Sequence, residues 1–168
     1  MSKARAPETR IVVRSARAND LALMAGWAEA MAFETEQKTL DGDTVRRGIA
    51  AGLGDPARAI YHIAEIAGEP VGTLMLTREW SDWRNGWWWW IQSVYVPPEQ
   101  RRKGVYRALY AYVHGLAEQA GDVCGLRLYV ERENVNAQRT YEFLGMRDAG
   151  YRMYEAALPW LARVISQS

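Results

Sequence analysis

The run Val94-Tyr95-Val96-Pro97-Pro98-Glu99-Gln100-Arg101-Arg102-Lys103-Gly104-Val105-Tyr106 passes from strand to loop to helix within one short span. Val94 and Val96, with Tyr95 between them, read as the end of a strand, and Pro97 and Pro98 stop it because proline cannot donate to a ladder. Beyond the loop, Val105, Leu109, Tyr112, Val113 and Leu116 recur on one helical face, and Gly121 closes the helix. The loop therefore feeds a helix N-terminus, where unpaired backbone N–H groups and the positive end of the dipole favour a phosphate. Gly104 lets the backbone approach a ligand closely, and Arg101, Arg102 and Lys103 add charge beside it. A solvated basic turn is the plain alternative. No G-K-[ST] follows, which excludes a Walker-type nucleotide loop, and a single glycine excludes a dinucleotide fingerprint. A phosphate-bearing cofactor of another kind remains.

Working outward, Trp87 to Val96 reads as one long strand, with Asn85-Gly86 as a hairpin signal just before it. Val71 to Thr77 and Ile60 to Ile66 are the strands that precede it, joined by the turn Ala67-Gly68-Glu69. Earlier still, Asn19 or Asp20 caps a helix carrying Leu21, Met24, Trp27 and Met31. Glu34 to Asp41 is a polar connection. Asp41 or Asp43 caps a second helix with Val45, Ile49 and Leu53, stopped by Gly54-Asp55-Pro56. Ile11 to Val13 form a first strand. On the C-terminal side, Leu126 to Val130 is a buried strand, Ala137 to Leu144 a short helix ended by Gly145, and Tyr151 to Ala156 a last strand. The order β-α-α-β-β-β-α-β-α-β predicts antiparallel neighbours, then a strand–helix–strand crossover that makes one parallel pair. A single mixed α/β domain spanning residues 1–168, with its core at about 10–157, is the expectation.

Composition narrows the function. Among 168 residues, 21 Lys and Arg balance 20 Asp and Glu, which disfavours a general binder of nucleic acid or membrane surfaces. Cys124 is the only cysteine, so neither an internal disulfide nor a thiolate metal cage is expected. His62 and His114, the only histidines, fall in strand-like and helix-like runs and read as structural, so no metal site is expected. Met1 to Arg10 lacks an apolar signal segment, and no run approaches the roughly 18 apolar residues of a membrane span, so a cytoplasmic protein is expected.

A second segment then gives the loop its meaning: Asn134-x-x-Ala137-x-x-x-Tyr141-x-x-Leu144-Gly145-Met146. It resembles the N-x-x-A-x-x-x-Y-x-x-L-G-F/M segment of the GNAT N-acetyltransferase superfamily, and Arg101-x-x-Gly104-x-Tyr106 resembles that family's R/Q-x-x-G-x-G/A pyrophosphate signature. The resemblance extends to the element order over nearly the whole chain. It implies the GNAT fold, with splayed parallel fourth and fifth strands flanked by helices, and acetyl-CoA as co-substrate without a metal. It further implies transfer of acetyl to a primary amine of a small molecule or peptide by direct attack in a ternary complex. Cofactor-binding residues on this basis are Val94, Tyr95, Val96, Arg101, Arg102, Lys103, Gly104, Val105, Tyr106, Asn134, Ala137 and Tyr141. Val94 and Val96 would offer backbone to the pantetheine amides, as in strand addition. A backbone N–H there would stabilise the oxyanion. Tyr141, protonated at neutral pH, is the expected catalytic acid for the leaving thiolate. A core tyrosine is its plain alternative, as a helix-entry residue is for Asn134.

Two departures from the pattern stand out. Tyr106 occupies the position of the last small residue of the phosphate signature, so its side chain must point away from the cofactor or cover it. The strand position where many relatives carry a carboxylate base falls at Trp90, with Gln92 nearby, and neither is a base. Glu34, Glu36, Glu79 and Asp82 are the carboxylates left for the amine's proton, unless water takes it, and Glu34 and Glu36 border the acceptor groove in the family. Both read at least as well as solvated surface groups. A noncatalytic acyl-CoA sensor of the same fold is the second reading. The tryptophan run alternates, sending Trp87 and Trp89 to one face and Trp88 and Trp90 to the other. One face packs on helices; the other lines an acceptor pocket, seats an ammonium by cation–π contact, or lies between two copies in a homodimer.

Overall fold

The computed structural model describes residues 10–159. In chain order these form β1 (Ile11–Ser15), α1 (Leu21–Glu36), α2 (Gly42–Gly54), β2 (Ile60–Ile66), β3 (Glu69–Ser81), β4 (Gly86–Tyr95), α3 (Val105–Ala120), β5 (Val123–Arg127) and α4 (Val135–Phe143). The strands lie in the order β1-β2-β3-β4-β5. The first four pair antiparallel, and α3 crosses over to set β5 parallel to β4.

Helices cover both faces of the sheet. Val105, Leu109, Tyr110 and Val113 of α3 pack on Ala64, Val71, Leu74, Leu76 and Ile91. On the other face, Met24 and Ala25 of α1 and Ile49 of α2 pack on Ile63. Each fully buried aliphatic side chain contributes about 1.5–3 kcal/mol by leaving water, so these two layers fix the register of the sheet.

Local signals work as expected at α2, where Asp41 caps the helix by accepting from the Thr44 N–H at 2.8 Å. At α1 they do not. Asp20 serves the turn Ala18–Asp20 instead, accepting from the Arg17 N–H at 2.6 Å and from both terminal nitrogens of Arg14 at 2.8 and 2.9 Å. The expected polar connection also begins later, because α1 runs on through Glu36 until Gln37 adopts φ 54°. Glu34 therefore sits in a helical last turn, aimed at the sheet rather than on a loop.

Two strand expectations are corrected. The fifth strand is Val123–Arg127, not Leu126 to Val130. Gly121 (φ 76°) ends α3 where expected, and the Asp122 carbonyl immediately accepts from the Trp87 N–H at 2.8 Å, so pairing starts before the most apolar residues. Tyr151 to Ala156 form no strand. Gly145 and Gly150 turn the chain at φ 86° and 73°. Tyr151 and Tyr154 are left 86% exposed, so no buried face rewards pairing.

No helix among the described residues is long and apolar enough to cross a membrane. No group of three or more His, Cys, Asp or Glu gathers there as a metal cage.

Candidate functional site

The parallel pair β4–β5 holds only from Trp87↔Val123 to Trp90↔Arg127. Beyond Trp90, β4 continues to Tyr95 while β5 has ended, so the two strands part in a notch. A bulge helps to open it. Met75 pairs with Ser93 and Leu76 with Ile91, leaving Gln92 as the extra residue on β4. The edge from Gln92 to Tyr95 therefore has backbone on β3 at one side and no strand at the other.

At the end of that edge lies the basic loop. Pro98–Gln100 make one 3-10 turn, Arg102 takes φ 63° and Gly104 φ 85°, and α3 starts at Val105. The first hydrogen bond of α3 runs from the Ala108 N–H to the Gly104 carbonyl at 3.0 Å. The N–H groups of Val105, Tyr106 and Arg107 thus belong to the open first turn of the helix. Two left-handed residues flanking Lys103 help these donors converge, as in backbone anion nests. A cleft of about 650 Å³ opens over this turn. Residues 100–107 line it together with Val96, with Thr140 and Phe143 of α4, and with Leu144 just after it.

Gly104 is required by its backbone angle rather than by crowding, since an added Cβ would meet nothing nearer than an Arg107 nitrogen at 3.9 Å. Crowding is instead severe at Gly72 of β3, a residue the sequence did not flag. A Cβ there would meet Val105 Cγ1 at 2.9 Å and the Tyr95 carbonyl at 3.1 Å. Gly72 thus lets the first turn of α3 sit directly on the sheet.

Tyr106 resolves its departure from the signature by turning inward. Its ring lies 6.3 Å from that of Tyr110 and 5.7 Å, edge-on, from that of Tyr141. Its buried hydroxyl has no partner among the described residues, and burial pushes it up from the usual tyrosine range. Tyr141 is half-buried on α4, and burial raises its hydroxyl too, which keeps it protonated at neutral pH. Asn134 stands at the entry of α4, where its side chain accepts from the Ala137 N–H at 3.1 Å and so caps the helix. Neither Asn134, Ala137 nor Tyr141 lines the cleft over the loop.

The expected acceptor residues divide. Glu36 pairs with Lys38 on the surface. Glu34 is anchored: its Oε1 accepts from the Tyr95 hydroxyl at 2.7 Å and its Oε2 from Arg101. Arg101, followed by Tyr95, holds the Glu34 carboxyl below the usual carboxylate range. Trp90 donates its indole N–H to Glu79, which also accepts from Arg127 at 2.9 Å. Gln92 donates to Thr77 at 2.8 Å and accepts from the Tyr129 hydroxyl at 3.2 Å. That last bond reaches from β4 across the notch to the segment after β5.

The tryptophans alternate as expected. Trp89 packs with the α3 core, whereas the ring of Trp88 lies under Arg127 at 4.0 Å, with Trp90 at 5.8 Å from the same guanidinium. The chain's own Arg127 therefore takes the cation–π position. Gly125 makes room for Trp88, since an added Cβ would meet that ring at 2.8 Å.

A family model for the acetyltransferase (GNAT) family matches residues 22–146. The chain belongs to the GNAT acetyltransferase family. Its fold is the GNAT fold, a mixed five-strand sheet with parallel β4 and β5, flanked by helices. A solved structure described as a possible acetyltransferase from Clostridium difficile 630 is 44% identical, with TM-score 0.83, covering 88% of this chain and 97% of that one. A ribosomal-protein-alanine N-acetyltransferase from Brucella melitensis biovar Abortus 2308 has TM-score 0.70 at 19% identity, covering 89% of this chain and 100% of that one. An aminoglycoside N-acetyltransferase, AAC(6')-Iy, in complex with CoA has TM-score 0.73 at 14% identity, covering 92% and 99%. The likeness to these last two is one of fold alone. No curated protein matches the chain. In this GNAT domain the two signature segments meet through the Tyr106–Tyr141 ring contact, although 35 positions separate those residues.

Proposed function

We propose that this GNAT domain transfers acetyl from acetyl-CoA to a primary amine by direct attack, with both substrates bound together. One observation carries the reading: an open α3 N-terminus, rimmed by basic residues, stands at the end of a β4 edge that β5 has left unpaired. Such a pair suits a ligand with a pyrophosphate at one end and amides along its arm.

In this reading the N–H groups of Val105, Tyr106 and Arg107, with the Arg102 and Lys103 side chains, hold the pyrophosphate. The β4 edge at Val94 and Val96 orients the pantetheine arm, and an edge N–H beside the bulge faces the thioester oxygen as negative charge develops there. Holding both reactants in place removes part of the barrier by turning a bimolecular encounter into an intramolecular step. Tyr141 supplies the proton that the departing sulfur takes up. Its raised pKa keeps that proton in place until charge builds on the sulfur. Glu34 is a poor base in this state, because both its oxygens accept hydrogen bonds and its carboxyl is held low. The attacking amine therefore loses its proton to water in the notch beside Gln92 and Tyr129.

The test is CoA release with a panel of small amines and peptides, followed by single-turnover transfer with the best acceptor. Tyr141→Phe keeps the ring against Tyr106 and removes the donor. Acetyl transfer should slow by about 100-fold with nearly unchanged acetyl-CoA affinity. Transfer at the wild-type rate would make Tyr141 a packing residue. Acetyl-CoA binding without release of CoA to any amine would favour the sensor reading instead.

A further inference from the structure

Arg101 opens the phosphate signature and lines the cleft, yet its guanidinium is already engaged by other parts of the chain. Its Nε donates to the Val96 carbonyl at 2.9 Å, its Nη2 reaches Glu34, and its Cζ lies 5.9 Å from the centre of the Tyr95 ring. The Tyr95 hydroxyl completes the arrangement by donating to the second Glu34 oxygen at 2.7 Å. Three parts of the chain converge there: the last turn of α1, the end of β4 and the basic loop. Burial, with Glu34 next, pushes the Tyr95 hydroxyl up to about 12, so it remains a donor throughout the working range. Arg102 and Lys103 behave differently. Neither pairs with a carboxylate among the described residues, and Lys103 donates to the neutral Gln100 side chain at 3.0 Å.

We propose that Arg101 is a positioning residue rather than a phosphate ligand: it ties the cofactor loop to the last turn of α1 through Glu34, with Tyr95 bracing the pair. The inference rests on the proposed function, since it takes the loop to be the pyrophosphate seat. A planar, forked guanidinium can satisfy a carbonyl, a carboxylate and a ring face at once, which a lysine cannot. Its charge is matched locally by Glu34, so the attraction for the pyrophosphate falls to Arg102, Lys103 and the helix terminus. The same tie fixes where α1 ends and the 37–41 connection begins, so the cofactor loop and the lip of the acceptor side are set as one unit. Glu34 on this account is an anchor, neither a general base nor a seat for the acceptor's ammonium.

A double-mutant cycle on acetyl-CoA affinity tests this, with Arg101→Gln, Glu34→Gln and the double variant measured at several salt concentrations. Arg102→Ala serves as the phosphate-contact control. The tie predicts that each single variant weakens binding by a similar factor, about twofold to fivefold for a partly exposed pair. The double variant should be no worse than either single one. Arg101→Gln should keep the wild-type salt dependence, whereas Arg102→Ala should flatten it. A structural role in general folding would not produce that split. If Arg101 instead leaves Glu34 for the pyrophosphate, Glu34→Gln removes a competitor and tightens binding, while Arg101→Gln flattens the salt dependence. Either result, or additive losses in the double variant, overturns the proposal. Wild-type protein that binds no acetyl-CoA would refute the proposed function. The cycle is then read on urea midpoints, where coupled losses support the tie and additive losses overturn it.

Discussion

His62 offers a prediction whose size follows from its surroundings. It lies in the middle of β2, 2% exposed, with its ring edge-on to Tyr112 at 5.2 Å. Neither ring nitrogen makes a well-formed hydrogen bond among the described residues, although the neighbouring Arg14 backbone favours the charged form and opposes part of the burial effect. Burial lowers its pKa from 6.5 to about 4, so the folded protein holds it neutral where the unfolded chain would protonate it. Above pH 6.5 both states are neutral and His62 contributes no pH dependence. As pH falls below 6.5 the unfolded state binds a proton that the folded state refuses, and stability drops until the folded pKa is reached. With these values the loss is about 2 kcal/mol at pH 5 and approaches about 3 kcal/mol near pH 4. Urea unfolding of wild type and His62→Leu at pH 7.5 and pH 5 isolates the effect, because every other titrating group is common to both proteins. The stability of the variant relative to wild type should rise by about 2 kcal/mol between the two pH values. Parallel pH profiles would refute the reasoning, and would mean that His62 reaches water or a partner when protonated.

Gly104→Val places a β-branched residue at φ 85°, where L side chains are strained. Acetyl-CoA binding by titration calorimetry should weaken at least about tenfold, the equivalent of roughly 1–2 kcal/mol of backbone strain, and wild-type affinity would mean that the loop is not the pyrophosphate seat. Gly72→Ala drives a methyl against Val105 Cγ1 and the Tyr95 carbonyl, so it should destabilise by about 1–3 kcal/mol in urea unfolding and also weaken acetyl-CoA binding. Adding Val105→Ala should restore part of both losses, and an unchanged midpoint in Gly72→Ala would show that α3 does not rest there.

The family, the crossover and the basic loop are legible in the sequence because each depends on neighbours within one element or turn. Alternation places Trp87 and Trp89 opposite Trp88 and Trp90, helical spacing marks the core face of α3, and two prolines end β4. The signature segments then point to the family. Contacts between distant segments are not legible in the same way. Glu34 and Arg101 stand 67 positions apart, and their pairing depends on α1 continuing one turn further than its polar sequence suggests. The β5 boundaries and the lost last strand follow from where Gly121, Gly145 and Gly150 turn the chain, and apolar patterning does not report those angles. Gly72 and Gly125 look like weak strand residues in isolation; only when α3 and Trp88 are laid against them does the missing Cβ become the condition for the site. Sequence by itself determined the family and the order of the elements from β1 to α4, because periodicity and turn chemistry act over a few residues. Tertiary structure alone decided that Arg101 faces Glu34, that Arg127 covers Trp88 and that the notch opens at Gln92, because those outcomes depend on register and close packing between segments far apart in the chain.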